Sequence, residues 1–307
     1  MLDYRQLQAL AAVLEEQSFD KAAQKLHVTQ SAISQRIKQL EDKLGHSLVI
    51  RGTPLQATRA GQQVLKHYRQ VSLLQNDMLQ GLIIDQGEGY SRLSIGLNAD
   101  SLETWFLDAM APLMAAKKLL LELKVDDQDQ THHLLRSGEV IGCITSSPEA
   151  MQGCSCIPLG VMPYRCLASP DYMARYFPDG ANREGFLMAP VAEYSNKDEL
   201  QNRYLERFFS LKAGEYPCHR IPSSVAFFEL IQRGYACGMV PDQQSQTLIK
   251  SGEVLDMSPG DYLAVPLYWH VWNLKTELAR SLTDTLINAA KVSLDPFENH
   301  KDLVHPL

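Results

Sequence analysis

No apolar run in this sequence approaches the roughly 18 residues that would suggest a membrane span, so no transmembrane segment is expected. Residues Met1 to Arg5 lack the basic-then-apolar pattern of an export signal, and a cytoplasmic protein is the simplest expectation. Cysteine is sparse: six in 307 residues, without an export signal, do not make a disulfide framework. Cys154 and Cys156 form a C-x-C pair with His132 and His133 upstream, but no second pair with ligand spacing accompanies them. Buried cysteines usually pack as small apolar side chains, so neither a metal nor a cofactor is expected. Also missing are a Gly-rich phosphate loop and any nucleophile, base and orienter in combination, which argues against an enzyme. A net positive charge is absent as well: the formal value is −7, which argues against non-specific nucleic-acid binding by the chain as a whole.

What is present is unevenly distributed. Residues 1–70 hold ten Lys/Arg against six Asp/Glu, a net +4, which leaves −11 for the remainder. A small basic head on an acidic body points to an anionic partner for the head only. With 45% hydrophobic and 21% charged residues, the composition is that of an ordinary globular protein, and its length suits two or three domains.

Leu7, Leu10, Ala11 and Leu14 repeat at helical spacing and predict a first helix over 3–16. Ser18 can cap a second over 19–26, where Ala22 and Ala23 permit a close crossing. After the tight connection His27-Val28, Thr29 can cap a third that runs to Leu44 and stops at Gly45. On that helix Ile33, Ile37, Leu40 and Leu44 form one apolar stripe. Gln30, Ser31, Ser34, Gln35 and Lys38 occupy another side, with Arg36 at its edge. Gln suits adenine, Arg suits guanine and Ser fits several base edges. Acids wait until Glu41 and Asp42, as a helix entering a groove by its N-terminal part requires. A solvated amphipathic helix would show the same periodicity. It would not explain nine basic residues against three acidic ones over positions 20–70.

Ser18-Phe19, Ala22-Ala23, Leu26, Val28-Thr29-Gln30-Ser31, Ile33-Ser34, Ile37, Leu40-Glu41 and Leu44-Gly45 resemble the winged helix-turn-helix of LysR-type transcriptional regulators. The resemblance implies a wing from Leu48 to Gly61, with Arg51 placed to meet phosphate and Thr58, Ala60 and Gly61 starting the next helix. It gives Thr29, Gln30, Ser31, Ser34, Gln35, Arg36, Lys38 and Arg51 as the DNA-binding set. Val49 stands where the family usually has Phe, Leu55 where a second basic residue is common, and Ala57 where Leu is common. A weaker grip on the DNA backbone is expected from that wing.

From Thr58 the sequence reads as helix to about Ile84, with the stripe Val64, Leu65, Tyr68, Val71, Leu74, Met78 and Leu82 and no Gly or Pro between Gln62 and Gln80. A helix so exposed needs something against its stripe: its own domain, or a second copy packed antiparallel, as the resemblance implies. A homodimer, with a tetramer as the alternative, would set two recognition helices about 34 Å or a multiple apart on double-stranded DNA. Gln86 to Tyr90 reads as the hinge. The domains are then 1–60, 61–90 and 91–307.

Beyond the hinge, strand and helix signals alternate. Strands are predicted at 93–97, 119–125, 140–145, 164–168, 190–192, 217–221, 236–240 and 264–271, and helices at 98–114, 131–137, 170–177, 197–209, 223–233 and 276–292. This rhythm predicts an α/β domain with a mostly parallel sheet. The resemblance implies a two-lobed, periplasmic-binding-protein-like effector domain, with lobe I at 91–162 and 268–307, lobe II at 163–267, and crossings near 161–165 and 263–268. Ligands in such sheets sit beyond the carboxyl ends of strands, which selects Asn98, Asp100, Ser101, Asp126, Asp127, Thr145, Ser146, Glu193, Ser223 and Ser224. Helix N-termini at Ser101 and Ser224 would favour a carboxylate, and the acids would favour a cation. A zwitterionic or basic amino acid fits both.

Asp3-Tyr4, Gln35 to Glu41, Asn98 to Ser101, Gly138-Glu139-Val140 and Leu267-Tyr268-Trp269-His270 are further similar to the ArgP-type subgroup, arginine- and lysine-responsive regulators also called chromosome-replication initiation inhibitors. That similarity implies lysine or arginine as effector, control of amino-acid export or metabolism genes, and RNA polymerase as a further partner. Tyr268-Trp269-His270 is read either as cleft lining or as a buried strand. An architectural DNA-coating protein without small-molecule control is the alternative function.

Overall fold

The computed structural model describes residues 2–82, 90–125, 134–196 and 198–300. At its N-terminus α1 (Tyr4–Glu16), α2 (Phe19–Lys25) and α3 (Gln30–Leu44) form the three-helix head. Each starts where an oxygen-bearing side chain meets otherwise unpaired amides. Asp3 accepts from the Arg5 amide, Ser18 from Lys21 and Thr29 from Ala32. Gly45 ends α3 in the left-handed region at φ 69°. Ala9, Ala12, Ala22 and Ala23 are buried where the helices cross, with Val13, Ile33 and Ile37 beside them. The wing is a two-stranded hairpin, β1 (Val49–Ile50) antiparallel to β2 (Gln56–Ala57). It closes tightly on the next helix, since a Cβ on Gly61 would collide with the Leu48 carbonyl.

The long helix α4 spans Arg59–Leu82. Its apolar stripe divides. Val64, Leu65 and Tyr68 pack on the head with Leu7, Leu10 and Leu40, whereas Leu74 and Met78 are 47% and 54% exposed. The side chain of Leu82 and hinge residues 86–89 lie outside the described residues.

The second domain is built on one seven-stranded sheet, in the order β10-β6-β11-β5-β3-β4 with β9 also on β6. In lobe I, β3 (Ser91–Leu97) runs parallel to both β4 (Leu119–Val125) and β5 (Gly142–Thr145). A helix, α5, follows β3. It begins as Ala99–Ser101, widens to a π-type turn over Leu102–Phe106 and continues over Leu107–Ala116. Residues 134–137 form a turn of helix before β5; the start of the expected helix at 131–133 lies outside the described residues.

Two long strands, β6 (Cys154–Ala168) and β11 (Tyr262–Trp272), pair antiparallel along their length and pass from one lobe to the other. Their register shifts between Leu267 and Tyr268. Lobe II adds α6 (Pro170–Tyr176), α7 (Arg183–Phe186), β7 (Val191–Glu193), α8 (Leu200–Phe209), β8 (Cys218–Arg220), α9 (Ser224–Gln232), β9 (Gly238–Pro241), α10 (Asp242–Ser251) and β10 (Leu255–Asp256). The chain returns to lobe I in α11 (Glu277–Ser293).

The expectation of a mostly parallel sheet is corrected here. Every pairing made by β6 is antiparallel, and so is that of β11 with β5. Strands that carry the chain out of a lobe and back must run in opposite directions. β6 also starts ten residues before the predicted strand at 164. Pro158, Gly160 and Pro163 read as breakers in the sequence, yet they lie within this strand.

Candidate DNA-reading face and effector cleft

Thr29, Gln30, Ser31, Gln35 and Lys38 are exposed on one side of α3, while Ser34 and Arg36 are partly buried at its margins. Ile33, Ile37 and Leu40 face inward, so the expected division of this helix into two faces is present. Thr29 is the cap, and its Oγ1 lies 3.0 Å from Ser31 Oγ. An open cleft beside α3 is lined by Phe19, Ser34, Gln35, Lys38 and Arg51, among others. The Arg51 guanidinium lies 5.9 Å from the centre of the Phe19 ring, a cation–π arrangement that keeps the charge beside the recognition helix. Leu55 and Val49, where the wing departs from the family pattern, pack against the head core instead.

In lobe I the chain leaves β3 at Asn98 and β5 at Thr145, two adjacent carboxyl ends of parallel strands. Asn98 is 5% exposed, and neither atom of its amide has a hydrogen-bond partner. Ser101 and Ser146 are fully buried, and their hydroxyl oxygens are also unpartnered. A buried polar group left unpaired costs about 1–3 kcal/mol. Asn98, Ser101 and Ser146 thus bring such groups together at the ends of two adjacent strands. Thr145 Oγ1 accepts from the Ser147 amide at 3.4 Å. Asp126 and Asp127 lie outside the described residues.

Asp100 sits between these groups and the lobe crossing. Its Oδ2 accepts a hydrogen bond from the Tyr164 hydroxyl of β6 at 2.6 Å. Burial pushes its pKa up to about 6 against the relief given by Tyr164, and the negative charges of Asp198 and Glu103 push the same way. The same burial and the adjacent Asp100 hold the Tyr164 phenol well above its usual value.

Lobe II contributes the opposite wall. Asp198 follows β7, and its two oxygens accept from the Tyr194 amide at 3.1 Å and the Leu200 amide at 3.0 Å. Glu193 is buried but already engaged, with Tyr216 OH at 3.4 Å and Arg220 Nε at 3.5 Å. It also helps burial push the Cys218 thiol up to about 12. Ser223 is the exposed cap of α9, accepting from the Ala226 amide. Ser224 is buried, and its Oγ faces the Glu103 carboxylate without a hydrogen bond of standard geometry. The N-terminal turns of α5 and α9 thus meet across the cleft. Glu103, Tyr164 and Asp198 were not found from sequence. Glu103 had a signal, being one helical turn beyond Asp100; Asp198 had none, because only the fold brings it close.

Tyr268-Trp269-His270 lies within β11, with Trp269 and His270 buried and Tyr268 half-buried. Trp269 Nε1 donates to Thr283 Oγ1 at 3.1 Å, His270 Nε2 lies 2.9 Å from the Ser147 carbonyl, and Tyr268 packs on Phe297. Cys154 and Cys156 lie on β6 with thiols raised by burial. Among the described residues, no group of three His, Cys, Asp or Glu could hold a metal ion, and no helix is long and apolar enough to cross a membrane.

A basic winged helix-turn-helix joined by one long helix to a two-lobed α/β domain is the architecture of a transcriptional regulator. The chain belongs to the LysR family. Residues 4–62 match the bacterial regulatory helix-turn-helix protein, lysR family, and residues 86–291 match the LysR substrate binding domain. It is similar to the HTH-type transcriptional regulator ArgP of Aeromonas salmonicida, 41% identical over 295 residues that cover 96% of this chain and 99% of that one. ArgP of Klebsiella pneumoniae is also 41% identical, over 93% of this chain and 96% of its own length. Among solved structures, ArgP from Mycobacterium tuberculosis superposes with a TM-score of 0.87 at 35% identity, covering 96% of this chain and all (100%) of that one. Full-length LysG from Corynebacterium glutamicum with bound effector Arg gives 0.77 at 32% identity, with coverage of 96% and 100%.

Proposed function

We propose that this regulator senses a basic amino acid, L-arginine or L-lysine, in the cleft between its lobes, and that it controls genes of amino-acid export or metabolism. The observation that carries the reading is the pairing of two chemistries at one turn. Asn98, Ser101 and Ser146 offer unsatisfied buried polar atoms for an α-carboxylate and α-amine, and Asp100 beside them offers a counter-charge for a cation. The ArgP relatives and the arginine-bound LysG structure support the same class of ligand.

On this reading Thr29, Gln30, Ser31, Ser34, Gln35, Arg36, Lys38 and Arg51 meet the DNA. Asn98, Asp100, Ser101, Thr145, Ser146 and Ser224 meet the effector, with Asp126 and Asp127 as further members of the set. Glu193 and Ser223 act from behind, through their present partners. The protein works in the cytoplasm as a homodimer, or as a tetramer built from it. The exposed Leu74 and Met78 of α4 are the apolar surface a second copy would cover. A ligand shifts the equilibrium only if it prefers one lobe arrangement; closure passes through hinge 86–90 to the spacing of the two heads and so to RNA polymerase. Isothermal titration of the full chain with L-arginine and L-lysine, paired with footprinting on promoter DNA, tests this. Saturable heat with either amino acid and an altered footprint are expected. Neither amino acid binding while DNA is still protected would leave the architectural reading instead.

A further inference from the structure

We infer that Gln17, at the corner between α1 and α2, is a positioning residue for DNA binding, gripping the wing and so setting where Arg51 meets the DNA backbone. The inference rests on the proposed placement of Arg51 against DNA, and adds which residue of the head fixes it.

Gln17 is a backbone outlier. It ends α1 in the left-handed region, at φ 53° and ψ 25°, a conformation that favours glycine and is strained for a residue with a Cβ. Its side chain makes two contacts from that position. Nε2 donates to the Leu14 carbonyl at 2.7 Å, one of the groups that a helix end leaves without an intrahelical partner. It also donates to the Leu55 carbonyl of the wing at 3.0 Å. One amide thus joins the end of the first helix to a hairpin 38 residues further along the chain.

The wing needs such a hold. Its ladder pairs only Val49 with Ala57 and Ile50 with Gln56, and a two-stranded hairpin is marginal by itself. Arg51 and Leu55 are the next residues outward, one on each arm. Among the described residues, the bond from Gln17 is the only side-chain hydrogen bond that reaches the hairpin beyond this ladder. The same corner holds the other arm. The ring centre of Phe19 lies 5.9 Å from the Arg51 guanidinium, and the side chains of Phe19 and Leu55 both pack on the head core. The corner from Gln17 to Phe19 therefore touches both arms of the wing at the level of Arg51. Without the amide of Gln17 the Leu55 arm can swing, and Arg51 approaches phosphate from a broader spread of positions, which costs entropy on binding.

The test is Gln17→Gly, Arg51→Ala and the double variant in the full-length protein. Each is titrated by fluorescence anisotropy, over a range of salt, against a duplex that the unmodified protein selects from a random-sequence pool. Glycine accepts the left-handed backbone at no steric cost, so Gln17→Gly should melt at the parent temperature or above it while losing the bond to the wing. Its DNA affinity is expected to fall about three- to tenfold at low salt. The slope of log affinity against log salt should become shallower by up to about 0.9, the share of one phosphate contact. Arg51→Ala should show the same loss, and the double variant should bind no worse than Arg51→Ala alone, because residues that act through one another are not additive. Additive losses would overturn the inference. So would a lowered melting temperature with an unchanged salt slope, which would give Gln17 a merely structural role. If Arg51→Ala weakens binding and Gln17→Gly does not, the placement of Arg51 survives and this inference fails. If Arg51→Ala binds as the parent does, both fail.

Discussion

Arg69 of α4 donates a hydrogen bond from Nη1 to the main-chain oxygen of Gly138, 2.5 Å away. The contact joins the long helix to the segment that leads into β5, the strand ending at Thr145 and Ser146. Two further contacts hold the same helix to lobe I. Asp77 Oδ1 accepts from the Glu277 amide at 2.7 Å, capping α11 from outside, and Leu73 enters an apolar recess formed by Ile141, Val271, Trp272 and Leu278. Gly138 has φ +78°, and a Cβ there would stand 2.7 Å from Lys66 Cα. Both the conformation and the close approach require glycine. Gly138→Ala is therefore expected to push the helix off lobe I and to destabilise the protein by about 1–3 kcal/mol. Arg69→Ala should loosen the contact more mildly. Hydrogen exchange of the amides of α4, together with thermal melts, checks both; unchanged exchange in Gly138→Ala would contradict the arrangement.

On the DNA side, Gln30→Ala removes an exposed group and Ser34→Ala a half-buried one, and both should leave the melting temperature close to that of the parent. Operator affinity should fall by about 1–3 kcal/mol for a lost base contact, measured by gel shift at fixed salt. Ile37→Ala, by contrast, empties a position on the buried stripe that is 4% exposed, and should cost about 2–5 kcal/mol of stability. A stable Ile37→Ala beside an unfolded Gln30→Ala would reverse the assignment of the two faces.

Ser101→Ala separates the two functions cleanly. The hydroxyl is fully buried with no partner in the unliganded protein, so its removal leaves no orphaned group and little change in stability is expected. The effector response should fall, because the ligand loses its hydrogen bond. Asp100→Ala should do the same while DNA binding persists. An unchanged lysine titration in Ser101→Ala would move the site elsewhere.

Acid should weaken sensing. The pKa of Asp100, raised to about 6, lies above its unfolded value, so between about 4 and 6 the folded protein holds a proton that the unfolded chain has lost. Its contribution to the stability of the unliganded protein therefore falls as pH rises through that window. A bound cation reverses the preference by favouring the carboxylate, so arginine affinity should climb between pH 5 and 7, with proton release on binding near pH 6. Tyr164 from β6, Asp198 from the turn before α8 and Glu103 on the same helix are the groups that face Asp100. In Asp100→Asn the pH dependence should flatten. Calorimetry in buffers of differing ionisation enthalpy measures the proton directly.

Local chemistry was legible from the sequence, and tertiary meetings were not. Ser18, Thr29 and Gly45 mark their helix ends by side-chain and backbone rules that need no other part of the chain, and the structure places them at those ends. The carboxyl ends of β3 and β5 were found the same way. The length of β6 was hidden because its prolines and glycine obey a rule that paired strands at a lobe crossing override. Ser223 and Ser224 were indistinguishable as neighbours in sequence; only the bond from Ala226 shows which one caps the helix. Asp198 carries no local signature. Its place, held by the Tyr194 and Leu200 amides, is set by how β7 joins α8.

The paired strands β6 and β11 have one more consequence. Because both lobes draw strands from the same two ribbons, neither can be cut out as an independent piece. Lying side by side and hydrogen-bonded, the ribbons act like a door hung on two pins: the lobes can swing, but a twist of one about the other would shear the ladder. On the proposed reading, an effector in the cleft would move the lobes only in ways that keep this ladder paired.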